Sequence, residues 1–124
     1  MAYGRISSHK ELEVWNRAMD LTEQVYRLSE RLPVDERFGL VLQLRRAAVS
    51  VPSNIAEGAG RGYPGDFVRF LAISLGSLAE LETQLLISER LGMLKSVEIP
   101  YGTLVATRQM LIRLSQSLQR PKTI

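Results

Sequence analysis

Residues 44–62 read LRRAAVSVPSNIAEGAGRG, and this stretch decides how the rest of the chain is interpreted. Ala47, Ala48 and Ile55 fall on one face of a helix and predict a core-facing surface. Pro52 lies inside the same helical pattern and removes one backbone hydrogen bond, which predicts a kink near Ala48. A helix that only filled a core would carry larger apolar residues inside and charged residues outside, so this segment is expected to do more than pack.

A ridge of polar side chains runs beside this apolar face, at spacings of three and four residues. Side chains at those spacings are neighbours on a helix and can contact one another. The ridge is interpreted as a partly buried polar network that fixes helix register, with ligand contact as the alternative for Arg46 and Glu57. In the network, Arg46 is expected to pair with a carboxylate on its own helix or across the bundle. The predicted members are Arg46, Ser50, Asn54, Glu57, Glu80 and Glu82.

A glycine-rich segment at residues 58–65 follows the ridge and is predicted to be a loop. It lacks the G-x-x-x-x-G-K-[ST] pattern and no strand precedes it, so a phosphate-binding loop of the nucleotide-hydrolase type is rejected. Arginines near the segment predict a basic patch, and Tyr63 adds a ring that can stack on a base. Internal pairing and ligand contact stay equal alternatives for Arg61 and Tyr63. The candidate residues for binding nucleic acid or a protein partner are Arg45, Arg46, Arg61, Tyr63 and Arg69.

Four helices are predicted around the central stretch. Apolar residues in a heptad pattern predict the first helix, which ends at the proline after Leu32. Gly92 marks the end of the third helix. The predicted helices span residues 9–32, 36–57, 66–91 and 97–118, between a flexible arm at 1–8 and a frayed tail at 119–124. Because short loops join helices of similar length, the chain is predicted to be a single-domain, all-α, antiparallel up-down-up-down four-helix bundle.

One line on the third helix carries small and apolar residues where a solvent-facing surface is normally charged. Surplus apolar surface of this kind usually marks an interface between subunits. The first helix also carries two apolar stripes, which is more than one bundle seam requires. The residues assigned to an oligomer interface are Ile73, Gly76, Ser77 and Ile87.

Composition excludes several classes of function. The chain has 124 residues, no cysteine and a single histidine, His9, which rules out disulfides, thiolate nucleophiles and zinc ribbons. No E-x-x-H motif occurs, so the di-iron centre of some four-helix bundles is excluded, and no metal site or cofactor is predicted. The formal net charge of +3 permits nucleic-acid binding without requiring it. No enzymatic activity is expected.

The sequence predicts neither export nor insertion into a membrane. The N-terminus lacks an apolar signal core, and the longest uncharged runs fall well short of the roughly 20 apolar residues that cross a bilayer. A cytoplasmic location and no membrane partner are expected.

Three segments resemble one protein family. They are KELEVWNRAMDL at residues 10–21, the stretch at 44–62, and FLAISLGSLAELETQLLISERLGML at 70–94. The resemblance is to the four-helix bundle proteins encoded in intervening sequences of bacterial large-subunit ribosomal RNA. It implies an antiparallel bundle that assembles into a homopentameric ring or barrel. The chain is also similar to the accessory protein of diversity-generating retroelements, a pentamer that binds nucleic acid and a reverse transcriptase.

The leading functional hypothesis is a non-enzymatic homo-oligomeric bundle that binds RNA or other nucleic acid through arginines displayed on the ring. A ring multiplies a modest arginine patch into a stronger field. The alternative is a protein-binding scaffold or adaptor in which the polar network is purely structural. Under that alternative, Arg46→Ala is expected to destabilise the fold, whereas Arg61→Ala weakens association with a protein partner.

Overall fold

The computed structural model describes residues 8–120, which form four α-helices and no strand. The predicted all-α class is confirmed. The predicted arm, apart from Ser8, and residues 121–124 of the predicted tail lie outside the described residues. A short 3₁₀ turn at His9–Glu11 precedes the first helix, and two more, at Val34–Glu36 and Ser96–Glu98, lie in connections between helices. The helices are α1 at Glu13–Ser29, α2 at Leu40–Gly60, α3 at Pro64–Arg90 and α4 at Tyr101–Gln119.

The first connection is longer than the sequence predicts. α1 ends at Ser29 and α2 begins at Leu40, four residues later than the predicted start at residue 36. Glu36 explains part of the difference, because its Oε1 accepts a hydrogen bond from the Leu40 amide at 3.2 Å. Glu36 therefore lies before α2 and satisfies one of the amides that every helix leaves free at its start.

The prediction of a loop over residues 58–65 is wrong for most of that segment. α2 continues to Gly60 and α3 begins at Pro64, which leaves residues 61–63 as the connection. Gly62 makes the turn with a φ of 83°, a conformation that glycine adopts without steric penalty. Proline is tolerated in the first turn of a helix, where the amide that it lacks has no helical partner.

Gly58 is helical because it is a packing residue. A Cβ atom at this position would lie 2.8 Å from the Cβ of Phe70 and 2.9 Å from Cδ1 of Phe67, both on α3. These distances are shorter than real Cβ contacts, so only glycine allows α2 and α3 to approach this closely. The close packing outweighs the low helix propensity of glycine, about 1 kcal/mol relative to alanine.

Contacts between neighbouring helices run in opposite order along the two helices that they join. As residue numbers rise along one helix, the numbers of the residues contacted on the next helix fall. This order is typical of a chain that reverses direction at each connection. The pairs are Ser29–Arg45 and Thr22–Ala48 between α1 and α2, Gln43–Gln84 and Ser50–Ser77 between α2 and α3, and Glu82–Arg108 and Glu89–Tyr101 between α3 and α4.

All four helices contribute to one apolar core. α3 supplies the largest share, and the core face predicted for α2 is confirmed, since Ala47, Ala48 and Ile55 are buried. Fully burying a Val, Leu, Ile or Phe side chain contributes about 1.5–3 kcal/mol to the stability of the fold. The largest fully buried side chains are Leu21, Val25, Leu44, Val51, Ile55, Phe67, Leu71, Leu78, Leu81, Leu85, Leu104 and Leu111.

The backbone of α2 receives hydrogen bonds from both neighbouring helices. Pro52 is buried and has no N–H for the carbonyl oxygen of Ala48, one turn earlier. The hydroxyl of Thr22 on α1 lies 3.1 Å from that oxygen and 2.8 Å from the carbonyl oxygen of Ala18 on its own helix, so its one proton is shared between the two acceptors. On the other side, the buried Ser74 hydroxyl donates to the carbonyl oxygen of Val51 at 2.9 Å. The bend predicted near Ala48 stays a prediction.

α3 is the one helix in the described part of the chain that is long and apolar enough to cross a membrane, with a mean hydropathy of 1.4 over an 18-residue window. The core helix of a soluble protein passes the same test, so length and hydropathy are weak evidence that α3 crosses a membrane. The fully buried residues of α3, such as Phe67 and Leu85, belong to the core of the bundle.

The contact between α3 and α4 includes a short hydrogen bond. The Tyr101 hydroxyl donates to Oε1 of Glu89 at 2.6 Å. This hydrogen bond is the main cause that raises the pKa of Tyr101 to about 12, since the bonded proton is harder to remove. Arg108 of α4 adds an ion pair to Glu82 of α3 at 2.7 Å.

Candidate nucleic-acid interface

The candidate interface lies at the connection between α2 and α3, where two arginines flank one aromatic ring. The guanidinium carbon of Arg61 lies 5.0 Å from the centre of the Phe70 ring, and that of Arg69 lies 4.8 Å from it. Both distances are within the range of a favourable cation–π contact. Arg61 extends from the end of α2 and Arg69 from the second turn of α3, so the ring connects the two helices.

Phe70 is the site residue that the sequence did not reveal. Its position one turn after Phe67 indicates a residue of the core face, because apolar residues at this spacing usually line a core. The structure leaves Phe70 only partly buried. Gly58, three residues before Arg61, packs against Phe70, whose ring Arg61 contacts. The only sequence signal was the adjacent Arg69, which by itself is unspecific.

Each of the two arginines also has a carboxylate nearby. Arg61 Nε lies 3.4 Å from Oε2 of Glu57, and Arg69 Nη2 lies 3.7 Å from Oδ1 of Asp66. All four side chains are between 40% and 61% exposed. Exposed ion pairs contribute only about 0–1 kcal/mol to stability. An anion that binds the arginines more tightly can therefore displace these carboxylates.

Tyr63 lies between the two helices and is 69% exposed. It occupies the position before α3, and its side chain makes no hydrogen bond to cap that helix. Among residues 8–120, no ring contact of Tyr63 is found. The structure thus brings three of the five predicted binding residues, Arg61, Tyr63 and Arg69, to one short connection.

Arg45 does not join this cluster. Its Nε donates to Oγ of Ser29 at 2.9 Å, and its guanidinium lies 4.6 Å from the centre of the Tyr26 ring, both on α1. Arg45 lies within α2 and precedes Arg61, the residue after the end of that helix, by 16 positions, which separates their backbones by about 24 Å at 1.5 Å per residue. The single basic patch predicted from the sequence is therefore divided, and Arg45 contacts α1.

Arg46, the next residue, is exposed on the outer side of α2. Its predicted pairing with a carboxylate is absent among the described residues. Glu57 contacts Arg61 instead, Glu82 contacts Arg108 of α4, and Glu80 is exposed. Adjacent positions on a helix differ by about 100°, so Arg45 faces α1 while Arg46 faces away from the core.

The polar network that does form is smaller and uncharged. The hydroxyls of Ser50 and Ser77 lie 2.8 Å apart across α2 and α3, and Asn54 Nδ2 donates to Oγ of Ser50 at 2.9 Å. A second polar contact joins the same helices, from Gln84 Nε2 to Oε1 of Gln43 at 3.5 Å. Ser50 and Asn54 are thus hydrogen-bonded to each other, while the predicted charged members have, among residues 8–120, other partners or none.

The residues predicted for an oligomer interface lie on the outside of α3, except one. Ile73 and Ile87 are 43% and 41% exposed, and Gly76 is exposed with open space around it. Ser77 is half-buried and contacts Ser50 of its own chain. The sequence pattern therefore located an exposed apolar line, with Ser77 on the side of α3 that contacts α2.

Two of the clefts formed by residues 8–120 have linings that include none of Arg61, Tyr63 and Arg69. One, of about 460 Å³, is lined by Gln24, Arg27, Leu28, Arg31, Glu98 and Pro100. An apolar groove between α1 and α2 is lined in part by Trp15, Met19 and Val49. Within residues 8–120, no group of three or more His, Cys, Asp or Glu side chains is placed to hold a metal ion.

Comparison with known proteins agrees with the resemblance found in the sequence. No curated protein matches the chain. A family model described as 23S rRNA-intervening sequence protein matches residues 10–113, which include α1, α2, α3 and most of α4. The matched range includes residues 44–62. This stretch runs along α2 into the α2–α3 connection, where the candidate interface lies. The chain therefore belongs to the 23S rRNA-intervening sequence protein family.

Proposed function

We propose that this protein is a non-enzymatic, oligomeric four-helix bundle that binds RNA or other nucleic acid through its α2–α3 connection. The observation that carries the proposal is the Phe70 ring flanked by Arg61 and Arg69, with the exposed Tyr63 beside them. Arginine and aromatic side chains together hold bases and phosphates in many RNA-binding proteins. The family description, which refers to an intervening sequence of 23S ribosomal RNA, supports RNA as the first ligand to test.

We infer an antiparallel up-down-up-down bundle from the order of the helix contacts. In that arrangement α2 and α4 occupy opposite corners, since each packs against both α1 and α3. Leu42 and Val49 are exposed on α2, while Val105 and Ile112 are exposed on α4. Two different apolar surfaces on one subunit suit a heterologous contact, which can close into a ring.

The proposed ring places several copies of the connection in one particle. Five copies, the number that the family resemblance implies, would multiply the avidity for a long nucleic acid. Light scattering on the purified protein tests this part, with a mass of five times the 13.9 kDa chain as the expected result. A monomer would contradict it. A cytoplasmic location belongs to the same proposal.

Binding itself is tested by titrating the purified protein into a labelled, structured RNA at about 50 and about 200 mM salt. Affinity should fall steeply at the higher salt, because phosphate contacts release counterions. Arg61→Gln should weaken binding. Arg27→Gln is the matched control, since Arg27 is an exposed arginine in the last turn of α1, at the other end of the bundle. Absence of binding at low salt would overturn the proposed function.

A protein-binding scaffold is the second candidate, and one observation favours it. The end of the bundle opposite the α2–α3 connection exposes four apolar side chains on the connections between helices, and exposed apolar groups often mark interaction sites. If the protein binds no RNA at low salt, this end becomes the better candidate surface. The four side chains are Val34, Phe38, Leu91 and Val97, which are 72%, 83%, 62% and 90% exposed.

A further inference from the structure

Two arginines at the α2–α3 connection are positioned before any ligand arrives. Phe70 holds the guanidinium groups of Arg61 and Arg69 at 5.0 and 4.8 Å from its ring centre. The two side chains stay 48% and 61% exposed, so they are accessible while they are held. Side chains ordered in advance lose less conformational entropy on binding, which favours affinity.

Tyr63 differs from the Phe70 ring in that, among residues 8–120, no cation lies on it. It is 69% exposed, and it directly precedes the helix that carries Phe70 and Arg69. Gly62 and Gly65, on either side of it in the chain, have no atoms beyond their chain neighbours within 4 Å of where a Cβ would lie. An open ring next to arginines is suited to stacking on a flat, uncharged group such as a nucleobase.

The carboxylates at the connection weaken a purely electrostatic mode of binding. Glu57 and Asp66 offset the charges of Arg61 and Arg69, and so the connection has little net positive charge. A duplex presents its phosphates outward and its bases inward, so its affinity depends on how many phosphates are neutralised. A single strand also offers unstacked bases, and each base stacked on an aromatic side chain adds to the affinity.

We propose that the α2–α3 connection binds single-stranded nucleic acid, with a base stacked on Tyr63 and the backbone phosphates bound by Arg61 and Arg69. This inference rests on the proposed function and names the strand form that the site takes. A phosphate would displace the carboxylates of Glu57 and Asp66 from ion pairs of 3.4 and 3.7 Å, both solvent-exposed. Stacking of an unpaired base on Tyr63 then adds to the affinity for a single strand. A duplex gains nothing from it, because its bases are paired and face inward.

The test compares a labelled oligouridylate of about 12 nucleotides, which forms no duplex with itself, with an RNA duplex of equal length. Fluorescence anisotropy at low salt should show that the single strand binds about tenfold tighter or more. Tyr63→Ser should weaken single-strand binding about tenfold, and Tyr63→Phe should bind like the parent because it keeps the ring. Circular dichroism checks that both variants fold, as expected for an exposed residue.

The outcomes separate this inference from the proposed function. If the duplex binds as tightly as the single strand, the inference is overturned while nucleic-acid binding stands. If the single strand binds tighter but Tyr63→Ser has no effect, stacking on Tyr63 is overturned. If neither RNA binds, both the inference and the proposed function fail.

Discussion

The middle of α2 and its C-terminal end are both rich in small and polar residues, yet they use them differently. In the middle, Arg45 and Ser50 contact side chains of α1 and α3, respectively. At the end, Gly58 brings α3 close, and Arg61 lies on the Phe70 ring at the surface. The difference shows that similar composition along one helix can serve internal packing in one part and a solvent-facing site in another.

The contrast follows from where each part of α2 lies in the bundle. In the middle, α2 packs between α1 and α3, so polar groups there find partners on both sides. Near Gly60 the chain turns into α3, and residues 60–63 are exposed. Three paired substitutions test this comparison.

The largest effect is expected from Gly58→Ala. The new Cβ would lie within 3 Å of Phe67 and Phe70, so the helices must separate or shift, at a cost of about 1–3 kcal/mol in the free energy of unfolding. Gly60→Ala is the control, because no atom lies within 4 Å of the added Cβ, and at the last residue of α2 alanine should stabilise the helix by less than the roughly 0.5–1 kcal/mol gained inside a helix. Urea denaturation of both variants measures the difference. Equal stability would show that Gly58 is not a packing residue.

Thr22→Val tests the hydrogen bond that α1 gives to α2. Valine keeps the shape but removes the donor to the Ala48 carbonyl oxygen, which receives no amide from Pro52, so a loss of about 1–2 kcal/mol is expected. Thr83→Val is the matched control, because the Thr83 hydroxyl donates to the Ala79 carbonyl within an exposed part of α3. Its effect should stay within about 0.5 kcal/mol. Thermal unfolding compares the two, and equal losses would contradict the role given to Thr22.

The smallest expected effect distinguishes the two adjacent arginines. Arg45→Ala removes the hydrogen bond to Ser29 and the stacking on Tyr26, at a cost of about 1 kcal/mol. Arg46→Ala should change stability by less than about 0.5 kcal/mol, since Arg46 is exposed. This reverses the sequence-based expectation that Arg46→Ala destabilises the fold. If Arg46→Ala proves the more destabilising variant in chemical denaturation, the contacts assigned to α2 are wrong.

Much of the fold could be predicted because it depends on local patterns. The spacing of Ala47, Ala48 and Ile55 identified the buried face of α2, and proline and glycine signals identified breaks between the helices. The glycines at the end of α2 could not be interpreted in the same way. Low helix propensity is a local signal, and the packing of Gly58 against α3 outweighs it.

The candidate site was predicted only in part, for a similar reason. Arg61, Tyr63 and Arg69 were identified from residue type and closeness in the chain, and the structure places them at one connection. Phe70 was missed because one-turn spacing from Phe67 indicates a core residue. Arg45 was included although it contacts α1, since a sequence does not show which neighbour a side chain meets.

The sequence by itself determined the all-α class, the face of α2 that enters the core, the family and the residue types at the α2–α3 connection. These depend on periodicity and on residue identity, which are properties of the chain alone. Only the tertiary structure decided that α2 continues through Gly58 and that Arg45 contacts α1 while Arg46 faces solvent. Those outcomes depend on the distance and direction of neighbouring helices, and such contacts between residues far apart in the chain are set by packing.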